Sequence, residues 1–227
     1  MPKKKKKIKL EENNPGKKKI KSDRQLYLVI GAMLLLVAIF FASYYIFKSL
    51  NTFKYEGLTF TKERFGEIPL FHHYYNFNSK GELFQYNLYL RNDPRKNTVP
   101  ITGKAIDERI EFRQDNFVYL SVNPENLTQC EYSRVGISNL ASFLADNQLN
   151  VKGAAPNESL AEENNVRYAT CSTHPNDIVI IIQAGNETKL IQEEDDCYII
   201  QIANCEVLQA IEKFQIKALL DSRKREL

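Results

Sequence analysis

The sequence predicts an α+β protein: an N-terminal transmembrane helix followed by an extracytoplasmic domain of mainly antiparallel strands with two or three helices. Three patterns carry this reading. An apolar run from Leu26 to Phe47 contains no charge, the first half of the chain beyond it alternates with a period of two, and two later segments repeat apolar residues at helical spacing.

The run from Leu26 to Phe47 exceeds the roughly 20 residues a helix needs to cross about 30 Å of hydrocarbon. It holds one glycine, Gly31, and no proline. Tyr27 at its start and Tyr44 and Tyr45 near its end suit the headgroup layer, and Lys48 closes it. A cleaved signal peptide has an apolar core of about 7 to 15 residues before a small-residue cleavage site, so the longer run reads as an uncleaved signal-anchor. A core helix of a soluble domain would carry a polar stripe, which is missing. The organisation is therefore a basic cytoplasmic tail over 1–24, disordered by composition, an anchor over 25–50 and an extracytoplasmic domain over 51–227.

Charge gives the orientation. Residues 1–50 hold 12 basic against 3 acidic residues, a net of +9, while the remainder holds 19 against 25, a net of −6. Basic residues beside a span stay in the cytoplasm, which puts the amino terminus inside and the domain outside the cell membrane. The overall +3 averages a cationic tail with a mildly acidic domain, so nucleic acid is disfavoured as a partner. Membrane lipid is the expected partner: the helix inserts in it, and anionic headgroups attract each Lys or Arg of the polybasic tail by about 1 kcal/mol.

In the domain, Phe84, Tyr86, Leu88 and Leu90 alternate with Gln85, Asn87, Tyr89 and Arg91, the mark of a half-buried strand. Leu70 to Phe77 is expected to pair with it as a hairpin across Asn78-Ser79-Lys80-Gly81. Thr52 to Phe60, broken by Gly57, and Phe117 to Val122 complete the early strands. Ile137, Leu140, Ala141 and Leu144 define a helix after Ser133, a candidate cap. A short strand near Leu149 to Lys152 and a helical turn near Glu158 to Asn164 come next. Four strands, Val166 to Cys171, Ile178 to Ile182, Lys189 to Gln192 and Tyr198 to Ile202, then precede a last helix carrying Val207, Leu208, Ile211, Phe214, Ala218 and Leu219.

All four cysteines, Cys130, Cys171, Cys197 and Cys205, fall in the part assigned to the outside, which favours disulfides. Their separations of 41, 26 and 8 lack the close pairs of a zinc site. Cys197 and Cys205 flank a strand that would hold them roughly 26 Å apart, beyond the about 7 Å limit for a bridge. If the four late strands form a meander, Cys171 and Cys197 share one end, so Cys171–Cys197 and Cys130–Cys205 are the expected pairs.

Candidate chemistry is sparse. His72 and His73 fall on opposite faces of one strand and cannot chelate together, and His174 lies in a turn. The run Glu193, Glu194, Asp195, Asp196 lacks the alternating oxygen ligands and the glycine of a calcium loop and reads as a solvated turn. No phosphate loop, dinucleotide fingerprint, nucleophile elbow or zinc-protease motif occurs, so no cofactor, metal or catalytic residue is assigned. Asn126, Asn157 and Asn186 begin glycosylation sequons, informative where occupied. Lys224 to Leu227 echoes a K-D-E-L tail but departs from it at the second position. The one recognition element that stands out is the turn after the best strand, where Asp93, Arg95 and Lys96 surround Pro94 and Arg95 could meet a ligand anion.

The lysine-rich start, the single anchor, "YLRNDPRK" from Tyr89 to Lys96 and "CYIIQIANCEVLQAIEKF" from Cys197 to Phe214 resemble a group of uncharacterised single-pass membrane-anchored proteins of small-genome, DPANN-type archaea. The resemblance covers most of the chain. It implies an archaeal cell surface and brings no activity, cofactor or site residue with it. The sequence thus leads to a membrane-tethered binding or structural module of the cell envelope, with an unknown envelope protein as a candidate partner. The alternative is an envelope enzyme of hydrolase type with a dispersed carboxylate site.

Overall fold

The computed structural model describes residues 15–79, 81–103, 117–194 and 196–223. The first lysine run, Lys80, Asp195 and the Lys224 to Leu227 tail lie outside the described residues. The chain divides into two units, 1–50 and 51–227.

In the first unit the apolar run is part of one continuous helix, α1 (Pro15–Asn51). Its segment Arg24–Asn51 is long and apolar enough to cross a membrane, and the most apolar stretch of it is not buried inside the protein. The helix begins well before the span, where the tail was expected to be disordered. Proline is favoured at a helix start, lysine is a good helix former, and propagation from a formed helix avoids the cost of nucleation.

The second unit begins without a linker. Strands β1 (Thr52–Tyr55), β2 (Leu58–Phe65), β3 (Ile68–Ser79) and β4 (Glu82–Leu90) form a four-stranded antiparallel meander. The first two connections are two-residue turns, fixed by the pairs Tyr55↔Leu58 and Phe65↔Ile68, and β3 pairs with β4 from Phe71↔Leu90 to Ser79↔Glu82. At the first, Glu56 and Gly57 both have positive φ, 47° and 84°, which matches the right-handed twist of the flanking strands. Gly57 therefore divides the expected first strand into a hairpin.

Among the described residues the second sheet has seven strands: β5 (Ile101–Gly103), β6 (Phe117–Val122), β7 (Asn150–Ala155), β8 (Arg167–Tyr168), β9 (Ile178–Ala184), β10 (Lys189–Glu194) and β11 (Cys197–Ile202). Their order is β5-β10-β11-β9-β6-β7-β8. The late strands do not form a meander. β11 inserts between β9 and β10, parallel to β9 and antiparallel to β10, and β8 pairs with β7 at the far edge. The apolar character of the strands accounts for the order. β9 and β11 are apolar on both faces and take the centre, where both faces are covered, while β10 carries Gln192, Glu193 and Glu194 and lies nearer the rim.

Among the described residues of the domain there are three α-helices, α2 (Ser133–Asp146), α3 (Glu158–Glu163) and α4 (Val207–Arg223). Asn157 caps α3 by accepting from Leu160 N at 2.8 Å. Ser133 does not cap α2; its hydroxyl donates to the carbonyls of Leu127 and Cys130 and ties down the preceding loop.

One core joins both sheets through α2 and α4. It contains Leu58, Phe60, Phe71, Leu88 and Leu90 from the small sheet, Leu140, Phe143, Ile211 and Phe214 from the helices, and Leu120, Ile180, Ile182 and Ile200 from the large sheet. No residue of α4 from Val207 to Asp221 is exposed, and most are buried, with Gln209, Lys213, Lys217 and Leu220 half-buried. Gly136 lets α2 approach it closely: a methyl group there would lie 3.1 Å from both Ile211 Cδ1 and Val207 Cγ1. Gly136→Leu is expected to cost about 1 to 3 kcal/mol by overpacking. In Gly136→Ala, the about 1 kcal/mol gain in helix propensity offsets most of the crowding. Urea unfolding of the two variants checks the contrast.

The opposite face of the large sheet has a smaller core of Tyr119, Ala154, Ala169, Val179, Ile181 and Ile199. The β8–β9 connection crosses it, held where Ser121 Oγ donates to Ala169 O at 2.8 Å. Two disulfides close the domain, Cys130–Cys205 with Cα atoms 5.2 Å apart and Cys171–Cys197 with Cα atoms 5.6 Å apart.

Candidate functional site

The site is built around the chain leaving β4. Leu90 is buried, and the next two residues turn over the first half of α4, whose Glu212 is 1 % exposed. The Glu212 carboxylate accepts from Arg91 N at 2.6 Å, Asn92 N at 3.1 Å and Asn92 Nδ2 at 2.9 Å. Burial raises its pKa above the ordinary carboxylate value, opposed by these hydrogen bonds and by the Arg91 charge. A buried carboxylate is a costly way to end a strand, and here it fixes the backbone of two successive residues.

The next turn is the recognition element named from the sequence. Asp93 accepts from Arg95 N at 3.1 Å, starting a short 3-10 turn over Pro94–Lys96. It also takes a forked pair from the Arg95 guanidinium, at 2.9 Å from Nε and 2.6 Å from a terminal nitrogen. The guanidinium carbon lies 3.8 Å from the centroid of the Phe53 ring. Hydrogen bonding from Arg95 lowers the Asp93 pKa. Asp93 and Arg95 are thus brought together with each other, and the Arg95 charge is matched within the turn; Lys96 is exposed. Asn97 anchors the far end, donating to Gln209 O at 2.8 Å.

Arg91, which the sequence did not single out, lies differently. Its guanidinium carbon sits 4.7 Å from the centroid of the Tyr132 ring. Among the described residues the guanidinium has no ion-pair or hydrogen-bond partner. It borders a cleft of about 440 Å³ lined by Ile68 and Pro69 from β3, Arg91 and Asn92 after β4, Glu131 and Tyr132 before α2, and Cys205, Leu208 and Gln209 around the start of α4. The Cys130–Cys205 disulfide ties together the two loops that come after β6 and β11 and form one wall. Arg91 and Tyr132 stand 41 residues apart in sequence, and nothing in the alternation of β4 distinguishes Arg91 from an ordinary solvent-facing residue.

The other sequence candidates have local partners. On the outward face of the small sheet, His72 bonds Glu63 Oε1 at 2.8 Å and Asn87 Oδ1 at 3.0 Å and stacks on Tyr89 with ring centroids 4.4 Å apart. His73 points the other way, buried, with its Nδ1 2.8 Å from Thr59 O. The His174 ring lies 4.3 Å from that of Tyr119, with Nδ1 3.0 Å from Thr173 Oγ1. Of the acidic run, Glu193 brings a carboxylate oxygen within 4.8 Å of the sulfurs of Cys171 and Cys197. Those sulfurs are bonded to each other, so no thiolate remains to ligate a metal. No known protein family, curated protein or solved structure matches the chain.

Proposed function

We propose that the chain is a membrane-tethered binding module of the cell envelope, anchored by α1, with residues 51–227 outside the cytoplasm. The observation that carries this reading is the distribution of cysteine and charge about the apolar helix. Every cysteine lies after it, all four joined in disulfides, and the basic excess lies before its apolar stretch Leu26 to Phe47. Lipid contact through the helix and the polybasic tail follows from the same arrangement, and an archaeal envelope is the setting the sequence resemblance implies. Binding is favoured over catalysis by the cleft: the buried carboxylate nearest it, Glu212, uses its oxygens on three N–H donors instead of presenting them to a ligand.

Protease treatment of intact cells, with a cytoplasmic and a surface protein as controls, tests the orientation. The 51–227 domain is expected to be clipped or shaved with the surface control. Its survival beside a digested surface protein of equal stability, or full thiol labelling of the native unreduced chain, would overturn the assignment.

A further inference from the structure

We infer that the cleft beside Arg91 is a binding site for a carboxylate-bearing ligand with a small apolar body. The inference rests on the reading of this domain as a binding module and names the chemistry of what it binds.

Four features of the cleft carry the argument. Its size falls within the roughly 300 to 1,000 Å³ of small-ligand sites. The Arg91 guanidinium is held against Tyr132 with its N–H donors unused by any described side chain, and a planar fork of donors is the natural complement of a carboxylate. Ile68, Pro69 and Leu208 add apolar lining that a bare inorganic anion would leave unused. The walls are also fixed in advance. Glu212 holds the backbone of Arg91 and Asn92, and Cys130–Cys205 braces the loop before Tyr132, so little ordering remains to oppose binding.

Glu131 narrows the ligand class. It too lines the cleft and has no ion-pair partner among the described residues. A phosphate monoester, with close to two negative charges, would meet its repulsion more strongly than a monoanionic carboxylate does. The neighbouring Arg95 does not compete for the ligand, because Asp93 already occupies its fork.

The experiment uses the full chain in lipid nanodiscs and reads saturation-transfer NMR with benzoate as a small-acid probe, acetyl-Ala-Phe as a peptide-terminus probe, and phenyl phosphate and benzamide as comparisons. At least one of the two carboxylate probes is expected to bind saturably, and which one does separates a free acid from a chain terminus. Benzamide binds at least tenfold more weakly, and phenyl phosphate gains on the carboxylates in Glu131→Gln. Arg91→Gln weakens the carboxylate at least tenfold, as loss of a charged hydrogen-bonding partner requires, with an unchanged thermal unfolding midpoint. Arg91→Lys, which keeps charge but loses the fork, falls between the two and serves if the Gln variant is unstable. Absence of saturable binding by both carboxylates, equal binding of benzamide, or unaltered binding in the Arg91 variants would overturn the inference. None of these results bears on which side of the membrane the domain occupies, so the topology stands or falls separately.

Discussion

Replacing Cys130 and Cys205 together with serine is expected to lower the unfolding free energy of the domain by about 4 kcal/mol, the largest loss from removing any single cross-link. The bridge closes a loop of 75 residues, and in the chain-entropy description the stabilisation grows with the logarithm of loop length. The paired replacement of Cys171 and Cys197, which close 26 residues, should cost about 3 kcal/mol. Urea unfolding of the full chain in nanodiscs, followed by near-ultraviolet circular dichroism, measures both. A loss below about 1 kcal/mol for the Cys130 and Cys205 pair would mean that the loops after β6 and β11 are held by packing alone. The two bridges also differ in what they brace. Cys130–Cys205 borders the Arg91 cleft, whereas Cys171–Cys197 fastens the β8–β9 connection to the start of β11.

Glu212→Ala should cost about 3 kcal/mol, because it leaves Arg91 N, Asn92 N and Asn92 Nδ2 without their acceptor and each unmade buried bond costs about 1 to 3 kcal/mol. Glu212→Gln keeps one oxygen acceptor and should cost about 1 kcal/mol. The same residue gives a pH signature. Its folded pKa is raised above the ordinary 4.5, so between these two values the folded chain holds a proton that the unfolded chain has released. The Glu212 contribution to stability is therefore greatest on the acid side of that window and falls as the pH rises through it. Glu212→Gln lacks this term, so the stability difference between native and variant should shift in favour of the native chain on acidification toward pH 4.5. Urea midpoints of both proteins across that range check it, and parallel profiles would show that Glu212 does not titrate in this way.

The strand pairing legible in the sequence was the local kind. β3 and β4 could be read as a hairpin because the alternation of Phe84 to Leu90 and the turn residues around Gly81 act within a few residues of each other. The late strands were recognisable one by one, yet their order was not, since the choice between β9 next to β10 and β9 next to β11 depends on which apolar faces find cover across the sheet. Ser133 looked like a cap because its type and position suit one. In the folded chain its hydroxyl serves the Leu127 and Cys130 carbonyls instead, a demand that exists only once the loop before α2 has been closed.

The candidate site divides in the same way. The turn with Asp93, Arg95 and Lys96 was visible because an Asp-Pro turn is a local signal, and the capping and pairing found there are local too. Arg91 and Tyr132 form no sequence pattern, and neither does Glu212 with Asn92, 120 residues away.

By itself, the sequence determined the apolar helix, the charge asymmetry about it, the α+β class and most individual elements, because hydropathy, propensity and turn chemistry act over a few residues. Tertiary structure alone decided the sheet order, the burial of most of α4 and the cleft in which Arg91 meets an aromatic ring and, among the described residues, no ion-pair partner. These arise where distant segments compete to bury the same apolar surface, and the outcome of that competition is a property of the packed whole.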